Sequence, residues 1–300
     1  MPAKLPPSIE PYGSYRAWLE ALEGYADQIA YAELLRAEPL KKAEYDGTFS
    51  GVLAALGLFP FTHQAEAFRA LEAGEHVVLA TPTASGKSLV YQAPALKAAL
   101  EDETALLVFP TKALARDQER RLLAMEKALG LPRTTYTYDG DTYSEKRRRA
   151  RESGRLILTN PDMLHFGILP RHPEWARFLG RLRYLVVDEL HYYRGVFGSH
   201  AGMIFRRLLR LARYYGASPQ IVAASATIQN PAEHAGRLFG EAFVAIRRAG
   251  SRTEREFVLW RPKALDPTGE VRRSPNIEAA HLAEHAAASD LKTLVFANSR

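Results

Sequence analysis

Three hundred residues, 47% hydrophobic and 25% charged, make an ordinary globular composition and exclude a chain disordered throughout. The absence of cysteine excludes a disulfide framework, a thiolate zinc site and a cysteine nucleophile; it fits a reducing compartment, so the cytoplasm is the expected location, at the nucleoid if the source is bacterial. A formal net charge of +6 suits a polyanionic partner without requiring one.

In chain order, residues 1–57 open Pro-rich and then place Trp18, Leu19, Leu22, Tyr25 and Ile29 near a 3.6-residue spacing before Pro39, which predicts a helical N-terminal extension. No charged segment leads into an apolar one at the start, and no run approaches the roughly 18 apolar residues of a membrane span, so membrane insertion is not expected. Residues 58–245 carry the apolar runs HVVLAT (76–81), ALLVFP (105–110), RLILTN (155–160), YLVVDE (184–189) and QIVAASAT (220–227), with helical segments between them. Strands buried on both faces read this way, and the intervening helices imply crossovers, giving an α/β, doubly wound parallel sheet. Each run ends in polar or small residues, so the chemistry collects at the carboxyl edge, where open parallel sheets bind ligands. Residues 246–275 read as a strand and linker, and at 276–300 a fresh unit begins, helical over IEAAHLAEHAAA and extended over LKTLVFANSR.

The stretch TPTASGKS, residues 81–88, follows a strand and opens a helix-forming segment, which is the setting of a phosphate-binding P-loop with Thr81 in place of its first glycine. Backbone N–H groups of Thr83, Ala84, Ser85 and Gly86, with the helix N-terminus, would cradle phosphates; Lys87 would reach the β and γ phosphates and Ser88 would ligate magnesium. The alternative is a Ser/Gly turn that merely caps a helix. In YLVVDELH a buried run ends in two adjacent carboxylates, placing Asp188 to hold magnesium and Glu189 to orient the attacking water, the alternative being an acidic pair at a helix N-terminus. A P-loop and such a pair on one parallel sheet point to hydrolysis of a nucleoside triphosphate, with ATP and Mg2+ as cofactors.

Thr81 to Ser88, Asp188-Glu189-Leu190-His191 and Ser225-Ala226-Thr227 resemble motifs I, II and III of superfamily 2 helicases in the DExH branch, in which the first P-loop glycine is commonly replaced. FPTKALARDQ (109–118), TNPDML (159–164) and FTHQAEA (61–67) resemble motif Ia, motif Ib and the adenine-reading glutamine motif. Within the branch, ATPTASGKSLVYQAP, YDGDT and DELHYYRGVFGSH are most similar to the mitomycin-repair-factor-A DNA helicases and their RecQ-four-like eukaryotic relatives. This resemblance covers roughly residues 55–300 and implies a RecA-like first motor domain, with TLVFANSR opening a second. It implies a truncated helicase, because the arginine fingers and zinc-binding cysteines of complete members would follow later.

By the same resemblance Gln64 would read adenine, with His63 or Phe61 against the base, and His191 would couple sites. Ser225, Ala226 and Thr227 would link nucleotide to nucleic acid. Thr111, Lys112, Arg116, Thr159, Asn160 and Asp162 would contact nucleic-acid phosphates, which grip without sequence choice. The implied activity is ATP-driven 3′ to 5′ movement on single-stranded or tailed DNA, in DNA repair. Two rivals stay open: an RNA-directed ATPase of the same superfamily, and a nucleotide- and nucleic-acid-binding module with little turnover. EKRRRAR (145–151) reads as a solvated helix face or a DNA contact, Tyr192-Tyr193 as packing or base stacking, and His281 with His285 lacks a third ligand.

Overall fold

The computed structural model describes residues 13–22, 27–82, 84–248 and 254–296. Its strands are β1 (Ile29–Leu35), β2 (Val77–Ala80), β3 (Thr104–Val108), β4 (Thr135–Thr137), β5 (Leu156–Thr159), β6 (Leu182–Val187), β7 (Gln220–Ser225), β8 (Val244–Ile246) and β9 (Arg255–Trp260). Two compact units result, one of residues Pro39–Arg252 and the other of Met1–Glu38 with Thr253–Arg300.

In the larger unit seven parallel strands stand in the order β4-β5-β3-β6-β7-β2-β8. The near-continuous apolar runs are the reason: β2, β3, β5 and β7 are buried at every position, so both faces must be covered by helices. One core lies under helices Gly195–Tyr214 and Pro231–Phe239, around Phe205, Leu208, Leu185 and Ile221; the other lies under helices Thr62–Glu72 and Ser88–Leu100, around Phe68, Tyr91, Leu79 and Val186. This is the expected α/β doubly wound parallel sheet.

Strand order decides which loops meet. β6, β7 and β2 are consecutive, so their carboxyl ends bring Asp188, Ser225 and Thr81 side by side. β4, β5 and β3 are also consecutive, so Asp139, Asn160 and Thr111 form a second group on the same edge. The register keeps these ends level: Ala80 pairs with Ser225, and Val108 with both Val187 and Thr159.

The smaller unit departs from the expected helical extension over 1–57. Helix Tyr15–Glu20 is short, Tyr25 lies outside the described residues, and Ile29 begins a strand rather than continuing the helix. β1 pairs antiparallel with β9, from Ile29 against Trp260 to Leu35 against Arg255. A β-branched start and an aromatic partner favour the extended form over helical spacing, which five apolar residues satisfied by coincidence. Residues 39–57 belong with the sheet, where Phe49, Val52 and Leu53 enter its core. Trp18 and Leu22 pack with Trp260 and Leu282, the last from helix Pro275–Ala288. Residues 291–296 carry no regular secondary structure, and the rest of the strand expected over LKTLVFANSR lies outside the described residues.

Candidate nucleotide site and nucleic-acid edge

After β2 the loop closes on itself. Thr81 is buried and its Oγ1 lies 2.8 Å from Ser85 Oγ, so the hydroxyl that stands in place of glycine pins the loop from inside. Ala84 and Gly86 adopt left-handed backbone conformations, with φ of 62° and 82°. A Cβ at Gly86 would fall 2.7 Å from Gln64 Nε2, so glycine there serves both conformation and space. Lys87 Nζ donates to Thr81 O and Pro82 O, each at 2.9 Å, and is held across the mouth of the loop. Burial lowers its pKa, against the pull of the Glu189 and Asp188 carboxylates. Thr83 lies outside the described residues.

Gln64 reaches this loop from helix Thr62–Glu72, accepting from Phe61 N and donating to Gly86 O, both at 2.8 Å. Both ends of its amide are therefore engaged with protein, and a bound base has to share or replace one of these bonds. His63 is buried, with its ring stacked on Phe61 at 6.2 Å and its pKa lowered chiefly by burial. Its buried Nε2 has no hydrogen-bond partner, and the half-buried Phe61 stands beside it, so both stay candidates to meet a base.

Asp188 emerges from β6 into a tight set of contacts. Its Oδ1 accepts from Glu189 N at 2.8 Å and its Oδ2 accepts from the Tyr91 hydroxyl at 2.9 Å. Burial raises its pKa, since little water remains to solvate the charge. Tyr91 is fully buried one turn beyond Lys87, and its hydroxyl, bonded to Asp188, is also influenced by the Ser88 hydroxyl, so one phenol lies near both oxygen groups named as magnesium ligands. Sequence reading passed over Tyr91 because an aromatic in a buried helix is ordinarily packing; its spacing of four from Lys87 was the available signal.

Glu189 has φ of 52°, and this left-handed step starts the single turn Leu190–Tyr192. The turn brings His191 back: its Nδ1 is 3.3 Å from Glu189 Oε2 and 3.4 Å from Ser225 Oγ, and accepts from Ala226 N at 3.3 Å. The ends of β6 and β7 thus converge on one imidazole. Thr227 does not join them; it is exposed and lines a neighbouring groove with Arg194 and His234. Tyr193 is buried and stacked with Phe197, so it packs, while Tyr192 is 59% exposed.

On the other group of strand ends, Thr111 caps helix Lys112–Ala128, accepting from Leu114 N at 3.4 Å. Lys112 and Arg116, exposed on its first turns, each lie 2.7 Å from a different oxygen of Asp141. Asn160 accepts from Met163 N at 2.8 Å as a helix cap, with Asp162 exposed beside it. Thr159 departs from its expected role: it is buried and its hydroxyl donates to Tyr138 O at 2.8 Å, so its side chain holds β5 to the loop after β4 instead of facing a ligand. The helix of EKRRRAR pairs Arg149 with Glu145 at 2.6 Å and Arg148 with Glu152 at 3.3 Å, the pattern of a solvated face. Among the described residues, no group of three or more His, Cys, Asp or Glu could hold a metal, His281 and His285 included.

The family model for DEAD/DEAH box helicases matches residues 61–235, more than half of the chain. The chain belongs to that family. Within these helicases it is of the superfamily 2 type represented by the uncharacterized ATP-dependent helicase YprA of Bacillus subtilis and ATP-dependent helicase HRQ1 of Saccharomyces cerevisiae. It is 43% identical to YprA over 243 residues, 80% of this chain and 32% of that protein. To HRQ1 it is 38% identical over 292 residues, 93% of this chain and 27% of that protein. The crystal structure of the DUF1998 helicase MrfA bound to DNA and AMPPNP superposes with a TM-score of 0.82 at 38% identity, over 91% of this chain and 39% of MrfA. The chain therefore spans about a third of the length of the helicases it matches. No helix among the described residues is long and apolar enough to cross a membrane.

Proposed function

We propose that this chain is the nucleotide-binding motor domain of an ATP-dependent DNA helicase that moves 3′ to 5′ along single-stranded or tailed DNA in DNA repair, in the cytoplasmic compartment. The observation that carries the reading is the meeting of the β2, β6 and β7 ends around Lys87, Asp188, Glu189 and His191. The loop from Thr83 to Ser88 binds the triphosphate of ATP through backbone N–H groups. Lys87 exchanges its two carbonyl partners for β and γ phosphate oxygens, which changes its acceptors from dipoles to anions. Glu189 accepts a hydrogen bond from the attacking water and turns its lone pair toward the γ-phosphorus. His191 relays the state of Glu189 to Ser225 and Ala226.

The site fits magnesium. A buried carboxylate with a raised pKa is short of a cation, and Ser88 beside it adds a second hard oxygen. Mg2+ is commonly bound by one or two carboxylates plus ligand phosphates, so two protein ligands suffice; when bound, it neutralises charge on the β and γ phosphates. Nucleic acid is gripped at Thr111, Lys112, Arg116, Asn160 and Asp162. DNA is favoured over RNA because the MrfA structure holds DNA; the polarity and repair role rest on the resemblance to the mitomycin-repair helicases.

The test is unwinding of duplexes carrying a 3′ or a 5′ single-stranded tail, with ATPase stimulation by single-stranded DNA and RNA compared in parallel. Selective unwinding of the 3′-tailed duplex and stimulation by DNA establish the reading. Stimulation by RNA alone replaces it with the RNA-directed ATPase, and mitomycin resistance equal to wild type in a deletion strain removes the repair role.

A further inference from the structure

The motif YDGDT has no part in the nucleotide chemistry, yet it forms the loop after β4, at the outer end of the nucleic-acid group of strand ends. The loop is built to hold one side chain in place. Asp139 is buried; its N donates to Thr142 Oγ1 at 2.9 Å, and its Oδ1 accepts from Asp141 N at 2.9 Å. Arg147 donates to the carbonyls of Asp139 and Gly140, at 3.1 and 3.3 Å. The carboxylate so positioned is Asp141. Its Oδ1 accepts from Lys112 Nζ and its Oδ2 from Arg116 Nη2, both at 2.7 Å. One anion with two oxygens bridging two cations is the contact pattern of a phosphodiester.

We propose that Asp141 is a resident phosphate mimic that occupies the Lys112 and Arg116 subsite when no nucleic acid is there and is displaced by a backbone phosphate when nucleic acid binds. This rests on the reading of that edge as the nucleic-acid track. Three features carry it. Lys112, Asp141 and Arg116 have side chains 45%, 52% and 55% exposed, so the pairs are solvent-screened and open to exchange. The hydrogen bond from Lys112 holds the Asp141 carboxyl below the usual carboxylate range, with Arg116 adding to the effect, so it stays an anion and competes as one. Finally, the buried Asp139 Oδ2 has no hydrogen-bond partner and lies 3.8 Å from Arg116 Nη2, which leaves Arg116 a second acceptor to turn to as Asp141 leaves.

The consequence is a specificity for release. Two bare cations would hold each phosphate at full strength, whereas a tethered carboxylate refills the subsite as a phosphate steps out, which suits a track that must let go repeatedly. The experiment is the affinity of the full-length protein for a fluorescent single-stranded DNA across a salt series, comparing wild type, Asp141→Asn and the double variant Lys112→Ala, Arg116→Ala, with melting temperatures taken alongside. Asp141→Asn is expected to bind about two- to fivefold tighter, with a log–log salt slope steeper by about 0.7. Unchanged or weaker binding by a folded Asp141→Asn overturns the mimic and leaves Asp141 as a brace for the two cations. If the double variant binds as wild type does, the edge itself is not the track, and that reading falls together with the mimic; loss of binding in the double variant keeps the track whatever Asp141→Asn shows.

Discussion

Lys87 and Lys112 stand at equivalent places, each where a parallel strand has ended and the next helix begins. Lys87 is half-buried, bonded to two carbonyls of its own loop, with its pKa lowered by the loss of water. Lys112 is exposed and paired with an equally exposed carboxylate. The difference follows from the loop each lysine meets, not from depth in the sheet. Lys87 follows β2, the neighbour of edge strand β8, and is turned back onto carbonyls of its own loop; Lys112 follows β3, the neighbour of the central strand β6, and reaches out to the loop after β4. A site for one small polyanion needs fixed, desolvated donors, while a track for a sliding polymer needs donors that water and salt can loosen. In the proposed reading one sheet edge supplies both because the loop after β2 closes over its own lysine, whereas the loop after β4 meets Lys112 in the open.

The sharpest way to break this contrast is Lys87→Ala, which is expected to lower ATP turnover about 10²- to 10³-fold or more while leaving single-stranded DNA affinity unchanged. ATPase kinetics and anisotropy measure the two, and a parallel loss of DNA binding would mean the halves are not separate. Glu189→Gln should fall into the same range for turnover with nucleotide binding retained, checked with a fluorescent ATP analogue. Next comes Tyr91→Phe, which removes the phenol that orients Asp188 without opening a cavity. Its expected effect is a rise of about 10-fold or more in the Mg2+ concentration needed for tight nucleotide binding, read by titration of a fluorescent ADP and rescued by excess Mg2+.

Asp188→Asn should separate stability from chemistry. Burial raises the Asp188 pKa above its unfolded value, so the protonated form favours folding at low pH and that contribution is lost as pH rises through the folded pKa. At neutral pH the ionised carboxylate costs stability. The neutral amide is therefore expected to raise the melting temperature by about 2–4 °C, with the gap to wild type closing toward acid pH, while turnover is lost. The smallest effect concerns the seam between the halves, where Gln92 donates to Gln118 at 2.8 Å in a buried amide pair joining the helix after the P-loop to the helix after β3. Gln118→Leu should reduce the stimulation of ATPase by DNA with a coupling change of about 0.5–2 kcal/mol, checked by a double-mutant cycle with Gln92→Leu.

The core strands were legible because continuous burial writes an apolar run, and the residues at their ends, Gly86-Lys87-Ser88 and Asp188-Glu189, stand out as the pattern the proposed anion site would need. β4 escaped notice because three residues, TYT, at the sheet's edge need no apolar run. Tyr91 and Asp141 were hidden for a different reason. Their partners are 97 and 29 residues away, and only strand order brings them together. Thr159 was misplaced because a threonine at a strand end reads as a ligand contact until the backbone carbonyl that claims its hydroxyl, Tyr138 O, is seen.

The pairing of Ile29 with Trp260 also sets a timetable. β1 is made early and its partner late, so at about 5–20 residues per second the strand waits on the order of 10 to 50 s for β9 to leave the ribosome. During that interval Pro39–Arg252 can complete its own sheet from segments already made, while β1 presents an unpaired backbone and the apolar Tyr31, Leu34 and Leu35. Nascent chains caught between these two events are the ones a chaperone would need to shield, and Glu33, on the same face as Tyr31 and accepting from its hydroxyl, gives that waiting edge one charge against self-association.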